Sequence, residues 1–139
     1  MQRAINVIAS FKDMPYCQSF IHKVKLISCE RQVAHLELQL EKPHCNTNST
    51  LHGGMATTLI DVYTCALLKT AYEENVLFST TELKARFLRP AKLGDTILME
   101  ARIIRAGRRV AFAEMDILDK TTQKILVQGT QTALVVPVN

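Results

Sequence analysis

The stretch His52-Gly53-Gly54-Met55-Ala56-Thr57-Thr58-Leu59-Ile60-Asp61-Val62-Tyr63-Thr64-Cys65-Ala66-Leu67-Leu68 carries one formal charge, that of Asp61. Its length and composition predict a helix that starts at Thr50 or His52 and runs to about Ala71. A helix apolar on every side has to be covered on every side. An aspartate at mid-helix cannot be an N-cap, and a buried carboxylate must be paired, hydrogen-bonded or neutralised. Asp61 is therefore the leading candidate for chemistry, while Gly53 and Gly54 allow backbone to approach a ligand closely. Gly53 and Asp61 are eight residues apart, about 12 Å along a helix axis. They cannot both touch one reacting atom. The first turn of a helix offers unpaired N–H groups and a positive dipole end, which suit an oxygen gaining negative charge. Two antiparallel copies of the helix would bring the amide end of one level with the carboxylate of the other, giving two symmetric sites.

The flanks decide what covers the helix. Gln2 to Lys12 reads as a short amphipathic helix with Ile5, Ile8 and Ala9 on one side, closed by Pro15. Phe20 to Cys29 and Gln32 to Glu41 read as strands joined by a hairpin about Glu30-Arg31; the second alternates Ala34, Leu36, Leu38 and Leu40 against His35, Glu37 and Gln39. Pro43 to Thr50 is a polar loop. Beyond the long helix, Val76 to Leu88, Thr96 to Arg105, Arg109 to Leu118 and Lys124 to Val136 are strand-like. Turn formers separate them at Pro90 to Asp95, Ala106-Gly107 and Asp119 to Thr122. Short turns between consecutive strands make an antiparallel meander. The fold class is α+β, an antiparallel sheet of five or six strands wrapped round one long helix, with a short N-terminal helix besides.

At 139 residues, 47% hydrophobic and 22% charged, the chain suits one domain with one core. Met55 to Leu68 is too short for a membrane span and contains Asp61, so a soluble protein is expected. The N-terminus lacks the apolar block of a secretory signal. Cys17, Cys29, Cys45 and Cys65 form no C-x-x-C pair, which points to free thiols in a reducing compartment. A cytoplasmic location is expected. The mitochondrion is the alternative, since Arg3 and Lys12 lie in an amphipathic N-terminal segment that Asp13 interrupts. The net charge of +4 favours an anionic partner, be it nucleic acid, an acidic membrane or a phosphorylated small molecule. Two groups carry the excess: Lys84, Arg86, Arg89 and Lys92, then Arg102, Arg105, Arg108 and Arg109 round Gly107. Any one of these reads as a solvated strand-edge cation, but as groups they suit phosphates. With 6% aromatic residues and no Trp, stacking on single-stranded nucleic acid is disfavoured.

Asn46-Thr47-Asn48-Ser49-Thr50-Leu51-His52-Gly53-Gly54, then Thr58-Leu59-Ile60-Asp61, then Arg89-Pro90-Ala91-Lys92-Leu93-Gly94-Asp95 resemble the hotdog-fold acyl-coenzyme A thioesterases of the phenylacetic-acid-degradation type. The likeness extends to Ala111-Phe112 and Gln128-Gly129 and covers nearly the whole chain. It implies the hotdog fold, hydrolysis of fatty or aromatic acyl-CoA, and a homotetramer built as a dimer of dimers. The implied amide donor to the thioester carbonyl falls on Gly53, helped by Asn46 and His52, and the implied base or nucleophile on Asp61 of the neighbouring subunit. A family serine that orients the attacking water falls on Thr80, which keeps the hydroxyl but adds a methyl. Coenzyme A contacts fall on Phe87, Leu88, Arg89, Pro90, Ala91 and Lys92, and on Arg105, Ala106, Gly107, Arg108, Arg109 and Val110. Phe87 stands where a close relative has tyrosine.

Neither a metal nor another cofactor is expected, since His22, His35, His44 and His52 show no ligand spacing. A thiol nucleophile is disfavoured: Cys45 follows His44 directly, and Cys65 lies in an apolar setting that raises its pKa. The rival reading is a non-catalytic acyl-CoA binding or sensing module, which would keep the basic segments but need no Asp61. A hotdog dehydratase would need a histidine paired with an acid, and none is found.

Overall fold

The structure, a computed structural model, describes residues 1–73 and 75–138. Helix α1 (Gln2–Ser10) precedes strands β1 (Lys25–Glu30) and β2 (Val33–Gln39). Helix α2 (Gly53–Lys69) follows, then strands β3 (Val76–Phe87), β4 (Thr96–Ala106), β5 (Val110–Asp119) and β6 (Ile125–Pro137). The six strands form one antiparallel sheet in the order β1-β2-β4-β5-β6-β3. The expected meander is β4-β5-β6. Strand β3 crosses over to pair with β6, which leaves it at the edge of the sheet, 12 residues long.

Helix α2 packs against β3, β4, β5, β6 and α1, the hotdog arrangement. Ala56, Leu59, Ile60, Val62, Tyr63, Ala66, Leu67 and Leu68 are all buried. One stripe stays partly open, formed by exposed Gly54 and half-buried Thr58, Asp61 and Cys65 at helical spacing. The sheet comes closest at Gly129 of β6: a Cβ there would lie 2.4 Å from Cδ1 and 2.9 Å from Cγ2 of Ile60. Glycine is required at that position because helix and strand meet there with no room for a side chain.

Two expectations shift in the N-terminal third. Phe20 and Ile21, read as strand, are buried in tight turns before β1, with Ile21 N–H donating to Cys17 O at 2.8 Å and Val24 N–H to Phe20 O at 3.1 Å. Phe20 packs edge-on to Tyr63 with ring centroids 6.2 Å apart. The run is apolar because it plugs the core beside α2. The β1–β2 turn is Arg31-Gln32, one residue later than expected, with φ of 50° and 66°. Positive φ at both central residues is the turn geometry that matches strand twist, here without the usual Asn or Gly.

Strand β3 is broken in register. Thr80 pairs with Ala133 and Glu82 with Thr132, so Thr81 is an extra residue in a bulge. Val76, Phe78 and Thr80 turn toward the helix before the bulge, and Leu83 and Ala85 after it. The interruption exchanges odd for even positions on the inner face.

Gly129→Ala is expected to destabilise the fold by about 1–3 kcal/mol, the usual cost of overpacking a filled core. Adding Ile60→Val should recover part of that loss, so the double variant is more stable than the sum of the two single effects. Urea denaturation of the three variants checks this.

Candidate active site

Asn46 sits in a loop that its own side chain organises. Its Oδ1 accepts from Asn48 N–H at 3.0 Å, Thr50 N–H at 3.2 Å and Thr50 Oγ1–H at 3.1 Å. The Asn46 side chain thus forms the turn, and the three bonds accepted by Oδ1 make Nδ2 the end that can meet a ligand. A second seam joins this loop to the segment after β3: Leu51 N–H donates to Ala91 O at 2.8 Å and Leu93 N–H to Ser49 O at 2.9 Å.

His52 is the N-cap of α2. Its Nδ1 accepts from Gly54 N–H at 2.8 Å, which in the neutral ring leaves the proton on Nε2. The Gly53 N–H, in the first helical position, has no carbonyl within the helix to reach. A Cβ on Gly53 would touch the Phe87 ring at 3.4 Å. An open cleft of about 330 Å³ beside them is lined by Gly53, Ala56, Phe87, Arg89, Ala91 and Val127, among others. The fold therefore sets Gly53 against the segment Phe87 to Ala91, with Asn46 and His52 in the loop that leads to it and is bonded to that segment. Arg89 is partly committed, since its Nη1 donates to Ile125 O at 2.7 Å.

Asp61 and Thr80 form a separate group two turns further along α2. Thr80 Oγ1–H donates to Asp61 Oδ1 at 3.0 Å. Sequence reading missed the third member, Gln131 of β6, which is 1% exposed. Its Nε2 donates to Asp61 Oδ1 and, at 3.0 Å, to Thr80 Oγ1. Its signal in the sequence is alternation: Val127, Gly129, Ala133 and Val135 share its face of β6, all apolar and buried. A lone amide on such a face must have a polar partner inside. Cys65, whose Sγ lies 3.5 Å from Gln131 Oε1, is not a nucleophile near neutral pH. Burial first, and the Asp61 charge second, push its thiol up to about 11.

The basic turn lies elsewhere. Gly107 N–H donates to Val110 O at 3.1 Å, and a Cβ at Gly107 would come within 2.4 Å of that oxygen. Tyr72, just past the C-terminal end of α2, donates its hydroxyl to Gly107 O at 2.7 Å. Within one chain, Arg105 to Val110 and Phe87 to Lys92 thus occupy opposite ends of the 17-residue helix, about 24 Å apart along its axis. Arg105, Arg108 and Arg109 are exposed. Arg102 is not part of this group. It is held across the sheet by Glu100 at 2.8 Å, Glu114 at 2.9 Å and Asp116 at 3.1 Å.

A family model described as thioesterase superfamily matches residues 48–126. Acyl-coenzyme A thioesterase 13 of Mus musculus is 34% identical over 120 residues, 86% of this chain and 84% of that relative. The crystal structure of zebra fish thioesterase superfamily member 2 superposes with a TM-score of 0.84 at 28% identity, covering 93% of both chains. That of thioesterase superfamily member 2 from Mus musculus gives 0.83 at 30% identity, covering 94% of this chain and 96% of that one.

The Asn46 geometry separates two roles that one residue combines. Asn46→Ala, which strips three accepted hydrogen bonds from the loop, should lower stability by about 1–3 kcal/mol. Asn46→Asp keeps an acceptor there and should stay within about 1 kcal/mol of wild type while losing the outward-facing N–H donor. Chemical denaturation of both variants is the check.

Proposed function

Because the chain belongs to the thioesterase superfamily, we propose that it hydrolyses fatty or aromatic acyl-CoA to the free acid and coenzyme A, in a site completed by two copies. The carrying observation is the split along α2. Asn46, Gly53 and the Phe87 cleft stand at its N-terminal end, Asp61 and Thr80 at its middle, and the Arg105 to Val110 turn at its C-terminal end. An antiparallel partner helix that brings the amide end level with the partner's carboxylate sets the partner's basic turn about 12 Å beyond that end, on the cleft side. The open stripe of α2 and the edge position of β3 give that partner a place to pair without disturbing the core. Two such dimers would make the tetramer.

In the proposed reaction the thioester carbonyl accepts from the Gly53 N–H and the Asn46 Nδ2–H of one subunit, with the His52 Nε2–H beside them. Asp61 of the other subunit takes a proton from water as its oxygen bonds to the carbonyl carbon. The tetrahedral intermediate expels the coenzyme A thiolate, which takes up a proton, and the acid leaves. Attack by Asp61 itself would pass through a mixed anhydride that water then opens. The exposed arginines of the partner's basic turn hold nucleotide phosphates beyond the mouth of the cleft. A binding module would keep the cleft and the cations but would gain nothing from a carboxylate on the open stripe.

Asp61→Asn should lower kcat by at least about 10² with KM within a few-fold of wild type. A folded Asp61→Asn protein that turns over normally would remove Asp61 from the chemistry, whereas a wild-type protein that binds acyl-CoA without turnover would support the binding module. Co-expressing Asn46→Asp with Asp61→Asn subunits tests the shared site. Each mixed dimer has one intact site and one doubly defective site, so random assortment should return roughly a quarter of wild-type activity. Activity no higher than in either parent, with mixed dimers confirmed by native mass spectrometry, would place each site within one chain.

Replacing Arg105, Arg108 and Arg109 together with Gln should raise KM for acyl-CoA and flatten its salt dependence, while sparing a short thioester that lacks the nucleotide. Equal losses on both substrates, measured in parallel salt titrations, would show that these cations do not meet coenzyme A.

A further inference from the structure

We propose that Gln131 is a positioning residue that fixes which oxygen of Asp61 performs the chemistry, an inference that rests on the catalytic role of Asp61 given above. Asp61 Oδ1 accepts from two donors, Thr80 Oγ1–H and Gln131 Nε2–H, and the second Nε2 proton of Gln131 goes to Thr80 Oγ1. Asp61, Thr80 and Gln131 close a three-membered hydrogen-bonded ring. Both donors converge on Oδ1, so the carboxylate cannot rotate without breaking two bonds at once, and Oδ2 is the oxygen left to receive a proton or attack.

The orientation of the Gln131 amide is itself determined. Turned over, it would set Oε1 against the Asp61 carboxylate, acceptor facing acceptor, inside a site where the amide is 1% exposed. Its Oε1 faces the other way, toward the Thr64 hydroxyl and Cys65 Sγ. Thr64 is fully buried and one helical turn from Asp61 and Ile60, with its Oγ1 2.6 Å from Ile60 O. Helix α2 therefore grips the back of the glutamine through Thr64, and the front of the same glutamine grips Asp61. Thr80 contributes its proton to Asp61 and keeps a lone pair, so it too acts on water through the carboxylate rather than as a proton donor.

The test uses Gln131→Met, which matches the length and apolar bulk of glutamine but donates nothing, and Thr64→Val, which removes the rear support and leaves the Asp61 carboxylate untouched, the Thr64 hydroxyl reaching only the Asp61 backbone oxygen at 3.3 Å. Each is measured alone and combined with Asp61→Asn, for kcat and KM on one acyl-CoA and for urea stability. Gln131→Met should lower kcat by about 10- to 100-fold, the scale of a misplaced catalytic group. KM should stay within about threefold, and Thr64→Val should fall between it and wild type. In the Asp61→Asn background neither change should reduce turnover further, because the group they position is gone. A merely structural role would move stability and KM and would persist in that background. Asp61→Asn inactive with Gln131→Met fully active overturns this inference alone. Asp61→Asn fully active overturns the catalytic reading beneath it. Should Gln131→Met fail to fold, wild-type turnover in Thr64→Val overturns the inference by itself.

Discussion

A carboxylate on a helix that is otherwise apolar all round has to be hydrogen-bonded by the protein, and that constraint organises this structure. Helix α2 buries residues on nearly every side, so the sheet that covers it must also supply donors at one point. Thr80 and Gln131 do so from adjacent strands at the sheet edge, β3 and β6. Neither is positioned by local sequence: Thr80 needs the bulge that follows it, and Gln131 needs the crossover that brings β3 beside β6. Gly129, two residues before Gln131, lets β6 approach the helix closely enough for the amide to reach.

The parts of this fold governed by side-chain alternation or helical period were legible in the sequence. Helix α2 begins at the histidine proposed for it and ends two residues before Ala71, and the alternating β2 runs from Val33 to Gln39 inside its expected span. What was not legible depends on partners distant in the chain. The apolar run at Phe20 and Ile21 has strand composition but fills a gap beside Tyr63, and Arg31-Gln32 adopts a left-handed turn that its residue types do not advertise. The bulge in β3 was invisible for a similar reason: Thr80, Thr81 and Glu82 carry no glycine or proline to mark it. Within the candidate site, Gly53 and Asp61 could be singled out by type and offset, and Asn46, His52 and Thr80 through the family resemblance. Gln131, 70 residues from Asp61, could be found only by asking why one amide interrupts an apolar face.

Charge is similarly divided between what the sequence suggests and what the fold permits. Arg102 belongs by proximity to the basic group round Gly107, yet the sheet turns it to the outer face among three carboxylates. There Glu100 also meets His35, 3.1 Å away, and His35 meets Ser28, so one polar ladder runs across four strands. Burial alone would raise the Glu100 carboxyl, but the bonds from His35 and Arg102 outweigh it and hold the group below its ordinary range. Arg89 and Lys92 lie toward the N-terminal end of α2, and the turn that carries Arg105, Arg108 and Arg109 lies at its C-terminal end.

The extra residue at Thr81 gives strand β3 two reading frames. Ahead of it the even-numbered residues look inward, ending at Thr80; beyond it the odd-numbered residues do, Leu83 and Ala85 leading to Phe87 against Gly53. Lys84 and Arg86 are thereby kept on the outer surface. Drawing Thr81 into the ladder would be a frameshift at the level of the folded strand: one half of β3 would have to present its wrong face, either withdrawing the hydroxyl from Asp61 or driving two cations toward the core. It is the bulge, not the identity of the residue within it, that keeps both halves in place, because Thr80 and Glu82 already stand opposite the adjacent residues Ala133 and Thr132.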